Sequence, residues 1–274
     1  MAITYLIDLS CPVKAHVRTS KMLRLLYQRD RAHEALNKAR KRNPQVAAAE
    51  VKVLVSLKDS TGKPSLAATN AADVISRFSE LDVQSHHCRQ CQARVLPQAF
   101  GCRGEIEFPI SLRAEAWLMG LVHGQASDPT PKMLLSYLAS NGIVGHRPKE
   151  MRHVPGIFFE SNKSLTRRYA SGEKLSIDQV LELLFLTEKI SPRHARFLLG
   201  MFDLYEGNLP LDGDLNSFSG VRVFEKTADG QAVSRAGVRT ESDALDDRSL
   251  REIKQFFYAM LMACELDAEL KVSL

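Results

Sequence analysis

Apolar residues alternate with polar ones near the beginning of the chain and recur at helical spacing over most of the remainder. Residues 2 to 8 alternate, which predicts a first strand that ends before Pro12, because proline cannot donate to a strand ladder. Between Ser20 and Asn43 apolar residues follow at steps of three and four, which predicts a long amphipathic helix. Val51 to Val55 alternate again in a second strand. This order predicts a right-handed crossover with both strands in one sheet.

The rest of the chain predicts mostly helices, interrupted by one strand at 105 to 108 and by a hairpin between residues 207 and 240. Asn70 is the expected N-cap of a short helix, and a Gly- and Asp-rich composition indicates the hairpin. The later predicted helices are Leu112 to Val122, Thr130 to Asn141, Ile177 to Lys189, Arg193 to Tyr205, and a last one whose apolar face runs from Leu250 to Cys264.

These patterns predict an α+β fold. It has a small mixed sheet with an N-terminal strand-helix-strand unit, a Cys-rich metal-binding loop at 82 to 104, and a mainly helical C-terminal half. A boundary at Gly124 to Thr130 divides an α/β part, residues 1 to 124, from a mainly helical part, residues 125 to 274. Because parallel strands need cover on both faces, we expect the later helices to pack on the first part, as one intertwined unit.

Composition places the chain among ordinary globular proteins. Its 274 residues are 45% hydrophobic and 25% charged, which excludes disordered, collagen-like and disulfide-dense classes. The longest strongly apolar run, Phe256 to Cys264, is too short to span a membrane. No basic leader precedes an apolar stretch at the start, so we expect a cytoplasmic protein. In a reducing compartment, clustered cysteines favour metal ligands or reactive thiols over disulfides.

Cys88, Cys91 and Cys102 form the sharpest chemical signal in the chain. Two cysteines separated by two residues can bind one ion, because a tight turn brings both sulfurs within Zn–S bonding distance, about 2.3 Å. Gly101 and Gly104 flank Cys102, and we expect them to let backbone N–H groups approach its thiolate. The segment resembles one and a half knuckles of a zinc ribbon, without a second cysteine after Cys102. We therefore predict a zinc site.

The fourth ligand remains open between two solutions. Cys11, at the end of the first strand, would complete an all-cysteine site, and His86 or His87 would supply an imidazole from the same loop. We favour Cys11 and a closed, structural zinc. The alternatives for the same cysteines are an iron-sulfur cluster, a redox thiol pair and uncoordinated thiols.

Charge is unevenly distributed along the chain. The net charge is +5, but residues 1 to 46 hold ten Lys and Arg against three acids, and residues 241 to 274 hold eight acids against four cations. Arg40, Lys41 and Arg42 stand at the predicted end of the long helix, where the macrodipole favours cations. We expect this basic end to bind an acidic partner.

A second basic segment covers residues 146 to 168, with six Lys and Arg against two Glu. It includes Phe158 and Phe159, and basic residues interleaved with aromatic ones are typical of nucleic-acid surfaces. The alternative is a solvated loop in which the two phenylalanines pack inward. The candidate partner-binding residues of this segment are Arg147, Arg152, Arg167 and Arg168.

The usual phosphate-loop, dinucleotide, zinc-protease and serine-hydrolase motifs are absent from the sequence. The leading hypothesis is therefore an interaction or regulatory module with a structural zinc, which binds an acidic protein or nucleic acid. The alternative is a metal-dependent enzyme of hydrolase type, or an iron-sulfur protein, with the same cysteine cluster. In the enzyme, His86 or His87 would leave a coordination position open and Glu105 or Glu107 would act as base.

Overall fold

Helices and small antiparallel sheets make up the fold in this computed structural model. The structure describes residues 2–58, 64–122, 130–154, 158–169, 171–185, 188–204 and 243–273, with the backbone alone at 56–58, at 64–66 and in four short strands between 207 and 234. The described helices are α1 (Pro12–Val17), α2 (Thr19–Arg42), α3 (Ala71–Asp82), α4 (Leu112–Leu121), α5 (Thr130–Ser140), α6 (His146–Met151), α7 (Ile177–Phe185), α8 (Pro192–Met201) and α9 (Arg248–Glu265).

The described strands lie between and beyond these helices. They are β1 (Ala2–Ile7), β2 (Lys52–Lys58), β3 (Pro64–Asn70), β4 (Arg103–Glu107), β5 (Thr166–Arg168), β6 (Lys174–Ser176), β7 (Lys189–Ile190), β8 (Gly207–Asn208), β9 (Ser219–Gly220), β10 (Phe224–Lys226), β11 (Ala232–Ser234) and β12 (Leu270–Ser273). A short 3₁₀ helix covers Ser85–Gln90.

The chain forms two compact units. Residues 10–91 make one, called here the inserted unit, and residues 1–9 with 92–274 make the other, called the main unit. Residues 124 to 129, where the sequence predicts a boundary, lie outside the described residues.

The central sheet of the main unit has the strand order β4-β1-β12-β7, and its pairings are antiparallel. Helix α9 packs on β1 and β4 through the apolar stripe that its sequence predicts. Tyr5 of β1 meets Phe256 of α9 edge to face, with ring centroids 5.2 Å apart. Such aromatic pairs contribute about 0.5–1.5 kcal/mol beyond the area they bury.

The predicted crossover between the first two strands is wrong. β1 pairs with β4 and β12, whereas β2 pairs with β3 in an antiparallel hairpin of its own. The pairings between the described strands are antiparallel, so the predicted mixed sheet is also wrong. Alternation identified β1 and β2 correctly, but it carries no information about which strand is the neighbour. β3, the next described strand, is instead the partner of β2.

The inserted unit packs α2 and α3 against one face of the β2-β3 hairpin. Ala32 and Leu36 of α2 are buried with Val53 and Val55 of β2 in a small apolar core. Leu54 lies between these two valines on the opposite face of the strand and is 66% exposed. This alternation determines which face of β2 packs against α2.

The pattern of apolar residues did not predict several short helices and strands. Residues 143 to 175 lie between the predicted helices, and they contain α6 and the hairpin β5-β6. β10 and β11 pair in the hairpin predicted between residues 207 and 240. β3, β7 and β12 have no counterpart among the predicted elements.

Candidate functional site

The C-x-x-C segment adopts a tight turn, as expected for a metal knuckle. Cys88 lies in the 3₁₀ helix and Cys91 follows it directly. The backbone N–H of Cys91 donates to the carbonyl of Cys88 at 3.3 Å, which closes the turn. Cys88 is buried and Cys91 is partly exposed. The backbone turn therefore places Cys88 and Cys91 close together in the chain's path.

The remaining candidate cysteines belong to different elements. Cys11 is the residue before α1, in the inserted unit, and it is partly exposed. Cys102 is buried in the main unit next to β4, and its carbonyl accepts from the backbone N–H of Ile7 at 3.0 Å. Over the described ranges, no three His, Cys, Asp or Glu side chains lie close enough together to hold a metal ion. The zinc site stays a prediction of the sequence.

His86 and His87 are exposed, and His86 has a defined orientation. Its Nδ1 lies 2.8 Å from the carbonyl of Val83. A carbonyl only accepts, so in the neutral ring the proton lies on Nδ1 and Nε2 keeps its lone pair. The two imidazole rings lie 3.9 Å apart and are tilted by 41°. Of the two ring nitrogens of His86, Nε2 is the one that could bind a metal.

The glycines next to Cys102 serve packing. A Cβ on Gly104 would lie 2.2 Å from the hydroxyl oxygen of Tyr5, its partner across β1 and β4. A Cβ on Gly101 would lie 2.1 Å from the carbonyl oxygen of Leu96. Close contacts with an aromatic ring and with backbone therefore account for both glycines, and the approach of backbone N–H groups to a Cys102 thiolate stays a prediction.

The two glutamates proposed as bases are held in ion pairs on β4. Glu105 pairs with Arg103, whose side chain is buried. Glu107 pairs with Arg248 at 2.6 Å, and its backbone N–H donates to the carboxylate of Glu252 at 2.7 Å. Burial raises the pKa of Glu252, while its hydrogen bonds from Glu107 and Arg248 lower it. Both candidate bases therefore have cationic partners.

Helix α2 carries its basic residues at exposed or partly exposed positions, and four of the five between Lys21 and Lys38 are held in ion pairs. Lys38 lies 2.7 Å and Arg31 3.7 Å from the carboxylate of Glu34. Lys21 pairs with Glu80 at 2.9 Å, and Arg29 pairs with Asp30 at 2.7 Å.

The last turn of α2 differs from the rest of the helix. Arg40, Lys41 and Arg42 are exposed, and no ion pair among the described residues includes them. The inserted unit as a whole carries fifteen Lys and Arg against seven Asp and Glu, a formal charge of +8. Because the whole chain carries +5, the other residues together are acidic. The positive charge is therefore concentrated in the inserted unit.

The second basic segment divides into exposed and inward-facing residues. Arg147 on α6 and Arg168 on β5 are exposed. Arg167 is partly buried and donates from Nη1 to the carbonyl of Val122 at 2.9 Å. Phe158 and Phe159 are buried, in agreement with the inward-packed alternative.

Arg152 is the centre of a buried charge cluster, and its burial excludes it from a binding surface. Its side chain is 1% exposed, and its Nη2 lies 2.8 Å from Oε1 of Glu115 on α4. Its Nε donates to Oδ1 of Asp178 on α7 at 2.5 Å, and its guanidinium lies 4.2 Å from the ring centroid of Phe159. Nη1 donates to the carbonyl of Ser161 at 3.1 Å.

The cluster places two carboxylates around one guanidinium away from water. Burial, with a smaller contribution from the charges of Asp178 and Glu160, raises the pKa of Glu115 to about 7 against the opposing effect of Arg152. The sequence gives no signal for this cluster, because its members are 26 and 37 residues away from Arg152. It joins α4, the end of α6 and α7 within the main unit.

No helix in the described parts of the chain combines the length and the apolar character needed to cross a membrane.

Comparisons with known proteins found no relative. No family model, curated protein or solved structure matches the chain.

Proposed function

We propose that this protein is an interaction module that binds an acidic partner through the basic end of α2. The proposal rests on one observation, the exposed and unneutralised cations Arg40, Lys41 and Arg42 in the last turn of that helix. Cations held in ion pairs contribute little to the field outside the protein, whereas unneutralised ones attract a polyanion over about one Debye length, roughly 10 Å at 0.1 M salt.

The proposal also includes a structural zinc ion in a reducing compartment, such as the cytoplasm. Cys88, Cys91 and Cys102 would supply three thiolates, with Cys11 or one of His86 and His87 as the fourth ligand. The tight turn between Cys88 and Cys91 and the thiol state of all five cysteines support this part. A bound zinc ion would stabilise the loop by joining elements that are distant in sequence.

A comparison of two triple variants in the inserted unit tests the partner surface. Arg40→Gln/Lys41→Gln/Arg42→Gln removes the unneutralised cations. The matched control Lys21→Gln/Arg29→Gln/Lys52→Gln removes three cations that already have a partner within the unit. The probes are a fluorescent RNA 12-mer and a fluorescent 12-residue polyglutamate peptide, with affinity measured by anisotropy at several salt concentrations.

We expect the first variant to bind at least one polyanion about tenfold or more weakly, and the control to lose much less. The slope of log affinity against log salt for RNA should fall by about 2 in the first variant, as three phosphate contacts disappear. Equal losses in both variants, or no binding by the wild-type protein, would refute the proposal.

A further inference from the structure

We infer that the acidic partner is single-stranded nucleic acid, which lies along one face of α2 with a base stacked on Tyr27. The inference rests on the proposed function, because it concerns the same helix, and it specifies the chemistry of the partner.

One continuous face of α2 carries the residues that the inference needs. Arg24, Tyr27, Arg31, Lys38 and Lys41 follow at steps of three, four, seven and three residues, so they share one side of the helix. All five are exposed. The buried residues of the helix, which pack into the inserted unit, are Met22, Leu25, Leu26, Gln28, Ala32 and Leu36.

Tyr27 is the feature that separates this face from an ordinary solvated one. Its side chain is 48% exposed, although tyrosine carries a large apolar ring. Arg31 donates from Nε to the Tyr27 hydroxyl at 3.2 Å, and its guanidinium carbon lies 5.6 Å from the ring centroid. The hydrogen bond fixes the ring on the helix, and the guanidinium lies over one face of the ring, so a base would stack on the opposite face. A nucleotide offers both groups that fit this pair, a base to stack on the ring and a phosphate to meet the guanidinium.

Charge on the face is concentrated at its two ends. Glu34 lies between Arg31 and Lys38 and compensates both, whereas Arg24 and the Arg40–Arg42 turn have no ion pair among the described residues. Arg24 and Arg42 are 18 residues apart, which corresponds to about 27 Å along a helix. A strand of several nucleotides covers this length and places phosphates near both ends.

The exposed ring favours a single strand over the other polyanions. Bases in a duplex are stacked on one another, so their faces are not accessible to a side chain without unstacking. The side chains of a polyglutamate peptide have no aromatic ring. Such a peptide would bind the cations but would gain no stacking energy from Tyr27. Stacking on Tyr27 therefore predicts a preference that charge alone would not produce.

The test compares three fluorescent probes of similar length, an RNA 12-mer, a 12-base-pair duplex and a 12-residue polyglutamate peptide. Each is titrated with the full-length protein and with Tyr27→Ala, Tyr27→Phe and Leu54→Ala. Leu54→Ala is the control, since it removes an exposed apolar side chain of the same unit outside this face. Circular dichroism confirms that each variant keeps its helix content.

We expect Tyr27→Ala to weaken RNA binding about fivefold or more, without changing the salt slope, because stacking releases no counterions. Tyr27→Phe keeps the ring and should stay within about threefold of the wild type, and Leu54→Ala should not change the affinity. An unchanged RNA affinity in Tyr27→Ala, or a duplex or peptide affinity equal to that of the RNA, overturns the inference and leaves the proposed function intact. If none of the probes binds, the proposed function fails as well.

Discussion

Arg152 Nη2 lies 2.8 Å from Glu115 Oε1 in the interior of the main unit, and both side chains are at most 2% exposed. Removing the arginine leaves the carboxylates of Glu115 and Asp178 buried without their cation. We therefore expect Arg152→Ala to lower the free energy of unfolding by about 3–5 kcal/mol. Urea unfolding followed by the fluorescence of Trp117, the single tryptophan, measures this change in the main unit. The exposed Arg147→Ala is the control and should stay within about 0.5 kcal/mol of the wild type.

The same cluster makes stability depend on pH. Burial raises the pKa of Glu115 from 4.5 to about 7, so the folded state holds a proton that the unfolded state releases in this range. Stability from this group is fully present below about pH 4.5 and is lost as the pH rises to about 7, a change of about 2–3 kcal/mol.

Glu115→Gln cannot titrate, so the difference between its unfolding free energy and that of the wild type isolates this contribution. We expect the wild type to lose stability relative to Glu115→Gln between pH 5 and pH 7. A difference that stays constant over this range would show that Glu115 ionises at its ordinary pKa.

Two tyrosines make a matched test of buried hydroxyl groups. The Tyr5 hydroxyl is buried, has no hydrogen-bond partner among the described residues, and burial raises its pKa, which keeps it protonated. Tyr5→Phe should therefore be neutral or stabilising by about 1 kcal/mol. The Tyr137 hydroxyl lies 2.9 Å from Nε2 of His194. Tyr137→Phe should lower the free energy of unfolding by about 1 kcal/mol. A melting temperature that falls more for Tyr5→Phe than for Tyr137→Phe would contradict the different hydrogen bonding of the two hydroxyl groups.

Zinc content tests the cysteine prediction directly. Protein purified without chelators under reducing conditions should be colourless and contain about one zinc ion per chain, as measured by inductively coupled plasma mass spectrometry. Cys88→Ser or Cys91→Ser should lose the metal and stability together, because the energy of binding a structural metal is folding energy. Cys264→Ala, on the apolar face of α9, should keep the metal. A brown protein with iron would favour the iron-sulfur alternative.

Periodicity predicted the principal elements and their inward faces. The spacing of apolar residues located α2 within two residues of its observed bounds, and the apolar face of α9 is buried as expected. These predictions succeed because each depends on residues within one element. The exposure of Arg40–Arg42 could be predicted for the same reason, because it depends only on the sequence of the last turn of α2.

Pairing between distant elements could not be predicted in this way. β1 is bounded by β4 and β12, and alternation looks the same whichever strand is the neighbour. Arg152 shows the same limit for charge. Its basic neighbours in sequence suggest a surface, but Glu115 and Asp178 arrive from other helices and bind it inside. Gly104 likewise reflects the ring of Tyr5 on the adjacent strand.

The position of β1 between β4 and β12 also sets the order of events during synthesis. β1 is synthesised well before its neighbour β12, which begins only at Leu270. The central sheet therefore stays incomplete until residues 270 to 273 have been made. All elements of the inserted unit are synthesised much earlier than β12. Its helices and hairpin can therefore fold before β1 is paired with β12.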